Sequence, residues 1–102
     1  MLLGNTGIEG SKDVAVAATP EKLAAASTPC LGVAITARNS NTGNMAYGFS
    51  NAVRATDNAE VGAQLQPGAS VFIPINNLNL VWLDAEVGTD GVSYSAVRAV
   101  AG

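Results

Sequence analysis

Alternation of apolar and other residues with a period of two is the dominant signal in this chain, and it narrows the choice of fold more than any other feature. Val33, Ile35 and Ala37 alternate with Ala34, Thr36 and Arg38, and Met45, Tyr47 and Phe49 with Ala46, Gly48 and Ser50. Val71, Ile73 and Ile75 alternate with Phe72 and Pro74, and Val81, Leu83 and Ala85 with Trp82, Asp84 and Glu86. Successive side chains of an extended strand point to opposite faces, so such runs read as half-buried strands. Val14 and Val16, set between Ala15 and Ala17, read as the first strand of the series, and residues 92–100 as the last. The breaks between runs carry turn chemistry. Pro67-Gly68 fits the central pair of a type II turn. Residues 39–44 (NSNTGN) form a loop in which Gly43 is free to take positive φ. Residues 88–91 (GTDG) read as a tight hairpin turn around Asp90-Gly91.

Strands at this spacing predict an all-β fold, a small antiparallel β-sandwich of jelly-roll or immunoglobulin-like type over residues 13–102. Residues 20–27 contain helix formers but are too few to hold a helix alone, and read as a turn or short strand around Leu23. Residues 51–66 read as a long loop lying on the surface. Residues 1–12 (MLLGNTGIEGSK) carry three glycines and no sustained period, which predicts an extended N-terminal arm. Leu2, Leu3 and Ile8 are its docking residues.

Only 13% of the 102 residues are charged, about half the usual share of a soluble domain. A domain of this size has a thin core and much surface to solvate, so the composition points either to a surface dressed with Ser, Thr and Asn or to one covered by partners. The net charge is −3, and the five basic residues, Lys12, Lys22, Arg38, Arg54 and Arg98, are scattered. Nucleic-acid binding needs a clustered basic footprint, and so does docking on an anionic membrane; neither is expected. No run approaches the length of a membrane span, and the start of the sequence lacks the basic and apolar regions of a signal peptide. Cys30 is alone, so no intrachain disulfide forms, and it reads as a small buried hydrophobe in keeping with a reducing compartment.

The chain has no histidine, which removes the commonest general base and metal ligand and both the Ser-His-Asp and Cys-His arrangements. No phosphate-cradling glycine motif is present. Catalysis, a metal and a cofactor are therefore not expected. The acidic cluster Asp84, Glu86 and Asp90 lacks the spacing of a calcium loop, and Asp84 and Glu86 share one strand face, which suits solvent. Tyr47 and Phe49 fall on the aliphatic face of their strand and read as core. Phe72 and Trp82 fall on the opposite phase. Each reads as an interface anchor, or else as a residue covered by the 51–66 loop or the second sheet. Pro74 cannot donate to a ladder, which places its strand at an edge or gives it a bulge. The predicted interface residues are Leu2, Leu3, Ile8, Phe72 and Trp82.

The order of short motifs adds a further indication. Leu23 is followed by Ser27-Thr28-Pro29-Cys30, an alternating strand and Asn41-Thr42-Gly43-Asn44. Leu65 then precedes Pro67-Gly68, and Asn77-Leu78 leads into Val81-Trp82-Leu83-Asp84 and finally Asp90-Gly91-Val92-Ser93-Tyr94. Over about residues 13–100 this resembles the small virion proteins of tailed bacteriophages that decorate or cement the capsid. The resemblance implies a non-enzymatic β-sandwich on the outer surface of the virion capsid, bound to the major capsid protein as a homotrimer and stabilising the head. Similar proteins occur in tails and head fibres, so the other function it implies is a module that binds a host-surface glycan or another virion protein.

Overall fold

The computed structural model describes residues 6–56 and 58–98. Among the described residues eight strands form: β1 (Thr6–Asp13), β2 (Glu21–Lys22), β3 (Val33–Ala37), β4 (Met45–Gly48), β5 (Ala63–Leu65), β6 (Ser70–Ile73), β7 (Trp82–Ala85) and β8 (Gly91–Arg98), with a 3-10 turn at Leu78–Leu80. They make two four-stranded sheets, the first in the order β1-β8-β3-β6 and the second β2-β7-β4-β5. Every pairing is antiparallel. Strands adjacent in sequence lie in opposite sheets at every step but β4 to β5. That winding is a jelly roll; an immunoglobulin-like sandwich divides its strands differently.

The alternation in the sequence builds the core. Val33, Ile35 and Ala37 of β3 face Met45, Leu83 and Ala85 of the opposite sheet, and all six are buried. Val14, Leu23, Leu78 and Val81 close the ends of the same cluster. Cys30 is buried there too, its Sγ donating to the Ile75 carbonyl at 3.3 Å. Gly68 takes φ +87 in the Pro67-Gly68 turn, the left-handed geometry a type II turn requires. Pro74 follows β6, an edge strand, where no ladder partner is lost.

Four expectations are corrected. Residues 88–91 do not close a hairpin, since β7 and β8 belong to different sheets and the segment crosses between them. Gly43 does not take positive φ; it is small because a Cβ there would meet the Glu86 side chain. The alternation at 14–17 is a turn: Val14 is buried but Val16 is exposed, and Ala18 takes φ 63. Phe49 is not core, because β4 ends at Gly48 and the chain turns outward.

The largest difference concerns the arm. Residues 6–13 form an edge strand paired with β8 along its whole length, from Thr6 opposite Arg98 to Asp13 opposite Gly91. The boundary expected after residue 12 therefore falls inside a strand. Alternation is weak here because Gly10 lies opposite Tyr94, and a Cβ on Gly10 would come within 2.7 Å of the Tyr94 hydroxyl oxygen. The tyrosine ring fills the place that a side chain on β1 would take, a known way of shielding a strand glycine. Ile8 packs on the core, and Lys12 Nζ donates to Glu21 Oε1 at 2.8 Å, tying β1 to the second sheet. The hydrogen bond from Lys12, and then that from the Ala15 amide, hold the Glu21 carboxyl below its usual range.

Deletion of residues 1–12 removes a whole strand ladder together with the burial of Ile8. The expected result is a loss of at least about 2 kcal/mol of unfolding free energy in urea. A truncated chain with an unchanged denaturation midpoint would show that β1 is dispensable.

Candidate docking surface

Trp82 and Phe72 share a phase in sequence but meet different surroundings. Trp82 projects from the outer face of the second sheet and is half-buried against Ala46, Val53 and Ala55. The segment following β4 crosses that face and covers it. Lys22 Nζ stands 5.5 Å from the centre of the Trp82 ring, within cation–π range. Of the two readings left open for Trp82, cover by the loop is the one observed.

The covering segment is fastened at the Arg54–Ala55 peptide group, next to a bridge between Arg54 and Val61. The Ala55 amide donates to Asp84 Oδ2 at 2.8 Å, and the Arg54 carbonyl accepts from Gln64 Nε2 at 3.0 Å. Ala46 is the register partner of both Asp84 and Gln64, so the clamp straddles it. Asp84 is fully buried, which corrects its reading as a solvent-facing residue. The other members of the acidic cluster also hold backbone. Glu86 accepts from the Asn44 amide at 3.0 Å, and Asp90 from the amides of Thr42 and Gly43 at 3.0 and 2.8 Å. Each carboxylate is committed to an N–H group, so the cluster acts as a set of structural clamps.

Phe72 lies on edge strand β6 with Ile73 turned inward beside it, and the residue is 61% exposed. Its ring rests against Gly32, which takes φ +101; a Cβ at that position would overlap the ring. Three shallow cavities adjoin it. One of about 400 Å³ lies along the open side of the sandwich, bordered by Phe49, Val61 and Pro74. A second, of about 470 Å³, is bordered by Leu31 and Ile75, and a third, of about 330 Å³, by Leu31 and Val97. Phe72 lines all three, and among the described residues no charged one lines any of them. Leu31, Phe49, Val61, Phe72 and Val97 are all exposed large apolar residues, so the patch is continuous around one corner of the molecule. Contiguous exposed apolar surface of this kind is a candidate interaction site.

Of the predicted interface residues, Phe72 is thus the centre of the patch and Trp82 lies outside it. Ile8 packs on the core rather than standing free, and Leu2 and Leu3 lie outside the described residues. Leu31, Val61 and Val97 were not singled out in the sequence, and Phe49 was read there as core. Gly48, Ser50 and Asn51 were the signal that could have turned Phe49 out of its strand. Compared with known proteins, the chain matches no family model, no curated protein and no solved structure.

Three substitutions separate these roles in urea or thermal unfolding. Trp82→Ala empties a half-buried site and is expected to lower stability by about 2 kcal/mol, below the range for a fully buried Trp. Phe72→Ala, at an exposed position, is expected to change it by less than about 1 kcal/mol. Asp84→Ala leaves the Ala55 amide buried without an acceptor and is expected to lower stability by about 1–3 kcal/mol. A Phe72 variant that unfolds while the Trp82 variant melts like the parent reverses the assignment.

Proposed function

We propose that this chain is a structural protein of a tailed-phage virion, a capsid decoration or cement protein that binds the outer surface of the major capsid protein lattice as a trimer and stabilises the head. The observation that carries this reading is the uncharged apolar corner around Phe72 on an otherwise fully wound sandwich. A cement protein works by surface complementarity rather than by chemistry. It needs a rigid body, an apolar contact surface and few charges to desolvate, and this chain supplies all three. Jelly rolls are a recurrent solution for virion shells, which is an argument from architecture alone. The motif order from Leu23 to Tyr94 supports the same reading.

The other reading, a glycan-binding module of a tail or head fibre, drew on Trp82 beside Asp84 as a binding platform. With Asp84 buried under Ala55 and Trp82 half-covered, that pair offers little open surface to a sugar.

Quantitative mass spectrometry of purified particles tests the proposal. Hundreds of copies per particle are expected for a cement protein, and a handful would point to a fibre tip. In addition, Phe72→Asp is expected to fold normally and to fail to bind heads lacking the native protein. Undiminished binding by a folded Phe72→Asp chain would remove the patch from the proposal.

A further inference from the structure

The sandwich has two open sides, and charge divides them. On one side, edge strands β1 and β2 carry Glu9, Lys12, Asp13, Glu21 and Lys22, and the Lys12–Glu21 ion pair at 2.8 Å ties the two edges together. On the other side, edge strands β5 and β6 read Ala-Gln-Leu and Ser-Val-Phe-Ile, without a charge. The edge of a sheet is a row of unpaired N–H and C=O groups, and proteins guard it with charged residues, lysine above all, or cover it. The β1–β2 side is guarded in this way. The β5–β6 side instead holds the cavity of about 400 Å³ bordered by Phe49, Val61, Phe72 and Pro74.

The phase of the hydrogen bonds shows what this edge offers. The Ala37 amide donates to the Ala69 carbonyl at 2.9 Å, in register with a ladder in which Ile35 faces Val71 and Val33 faces Ile73. Antiparallel pairs alternate between bonded and non-bonded, so Ala69, Val71 and Ile73 turn their backbone groups toward β3. Ser70 and Phe72 turn theirs away, to the open side. The neighbouring ladder agrees. The Arg38 amide donates to the Gly91 carbonyl at 3.2 Å, in register with the β3–β8 pairs, so Thr36 and Ala34 direct their backbone groups to β8 rather than to β6.

We propose that the β6 edge takes an extended, uncharged apolar strand from a partner protein. The strand adds to the first sheet beside β6 and lays alternate side chains into the cavity between Phe72 and Phe49. Two features select this occupant. The outward groups of Ser70 and Phe72 match the main chain of another strand, whereas a helix bonds its own main chain internally and cannot serve them. The border of Phe49, Val61 and Phe72 would desolvate a charged side chain without pairing it, so the segment that fits carries no charge. This deepens the proposed function by naming what the Phe72 corner takes. It rests on that reading only for the source of the strand, a segment of the lattice protein.

The probe is a displayed library of random short peptides, selected on the folded parent chain. The binders are expected to be uncharged and to alternate β-branched or aromatic residues with small ones. Ser70→Pro removes an outward N–H, a change that an edge strand tolerates, and leaves the Phe72 patch intact. Ser70→Ala keeps the N–H and loses only the hydroxyl contact with Thr36. Selected peptides are expected to bind Ser70→Pro at least about 30-fold more weakly than the parent, and Ser70→Ala as the parent. Should Ser70→Pro fail to fold, amide exchange in the parent decides, since the Ser70 and Phe72 amides are expected to slow when peptide binds. Failure to select a binder, binders rich in charge or with helical spacing, undiminished binding to folded Ser70→Pro, or amides that stay unprotected would each overturn strand addition. Self-association of the parent that Ser70→Pro abolishes in sedimentation would assign the edge to a second copy and overturn a foreign strand. Head binding is scored with the same variants. Peptide binding without head binding refutes the capsid function alone, and heads bound equally by the parent and by folded Ser70→Pro refute the added strand alone.

Discussion

Asn41 and Gly91 exchange two hydrogen bonds: the Asn41 side-chain amide donates to the Gly91 carbonyl at 2.8 Å, and the Gly91 amide donates to Asn41 Oδ1 at 3.0 Å. The pair is buried and joins the β3–β4 crossing to the start of β8. It shows the constraint under which the rest of the molecule is built. A jelly roll passes from sheet to sheet at nearly every connection, and a crossing segment has no ladder neighbour to satisfy its backbone. A buried amide without a partner costs about 1–3 kcal/mol, so side chains have to serve instead. Asp90 and Glu86 do so for residues 42–44, and in the β4–β5 connection, which stays within one sheet, Asp84 and Gln64 hold the Arg54–Ala55 peptide group in the same way. Asn77 does so on the other side of the molecule, where Oδ1 accepts from the Thr28 and Asn79 amides at 2.8 and 3.1 Å.

Legibility in the sequence follows from this division of labour. Where a strand is held by its ladder and one buried face, as in β3 and β7, period two is plain and the inward residues are correctly read from it. Phe72 was legible for the same reason, since it breaks phase next to Ile73. Where a side chain answers to a distant backbone group, local pattern is silent. Asp84 sits on the face that alternation assigns to solvent and is buried because Ala55, remote in sequence, needs an acceptor. Asp90-Gly91 has the composition of a hairpin turn but serves a crossing, because Asp90 binds residues 42 and 43 rather than its own turn. The arm was misread because the residue that completes β1, Tyr94, lies on another strand. The exposed apolar patch was half legible: its centre could be read from one strand, but its border comes from segments that only the fold brings together.

The small stock of charge is mostly committed to partners within the chain. Lys12 pairs with Glu21 and Arg38 with Asp13, joining β1 to its surroundings, and Arg54 Nη1 donates to the carbonyls of Asn51 and Val53. Together with the three clamping carboxylates, these contacts engage most of the charged residues described. Low charge content and a dense network of backbone clamps are thus two aspects of one design. The ionisable groups organise crossings, and the outer surface is left to serine, threonine, alanine and a few bare aliphatics.

The contact between Phe72 and Gly32 bears on entropy. A phenylalanine this exposed would ordinarily sample several rotamers, and fixing such a side chain at an interface costs about 0.5–1.5 kcal/mol. Here the ring lies on a backbone position where φ is +101 and no Cβ intervenes, so the glycine provides a seat against which it is already ordered. The loss of rotational freedom is incurred during folding, and little of it remains to oppose association. Replacement of Gly32 by alanine would therefore displace the ring from its seat as well as strain the turn.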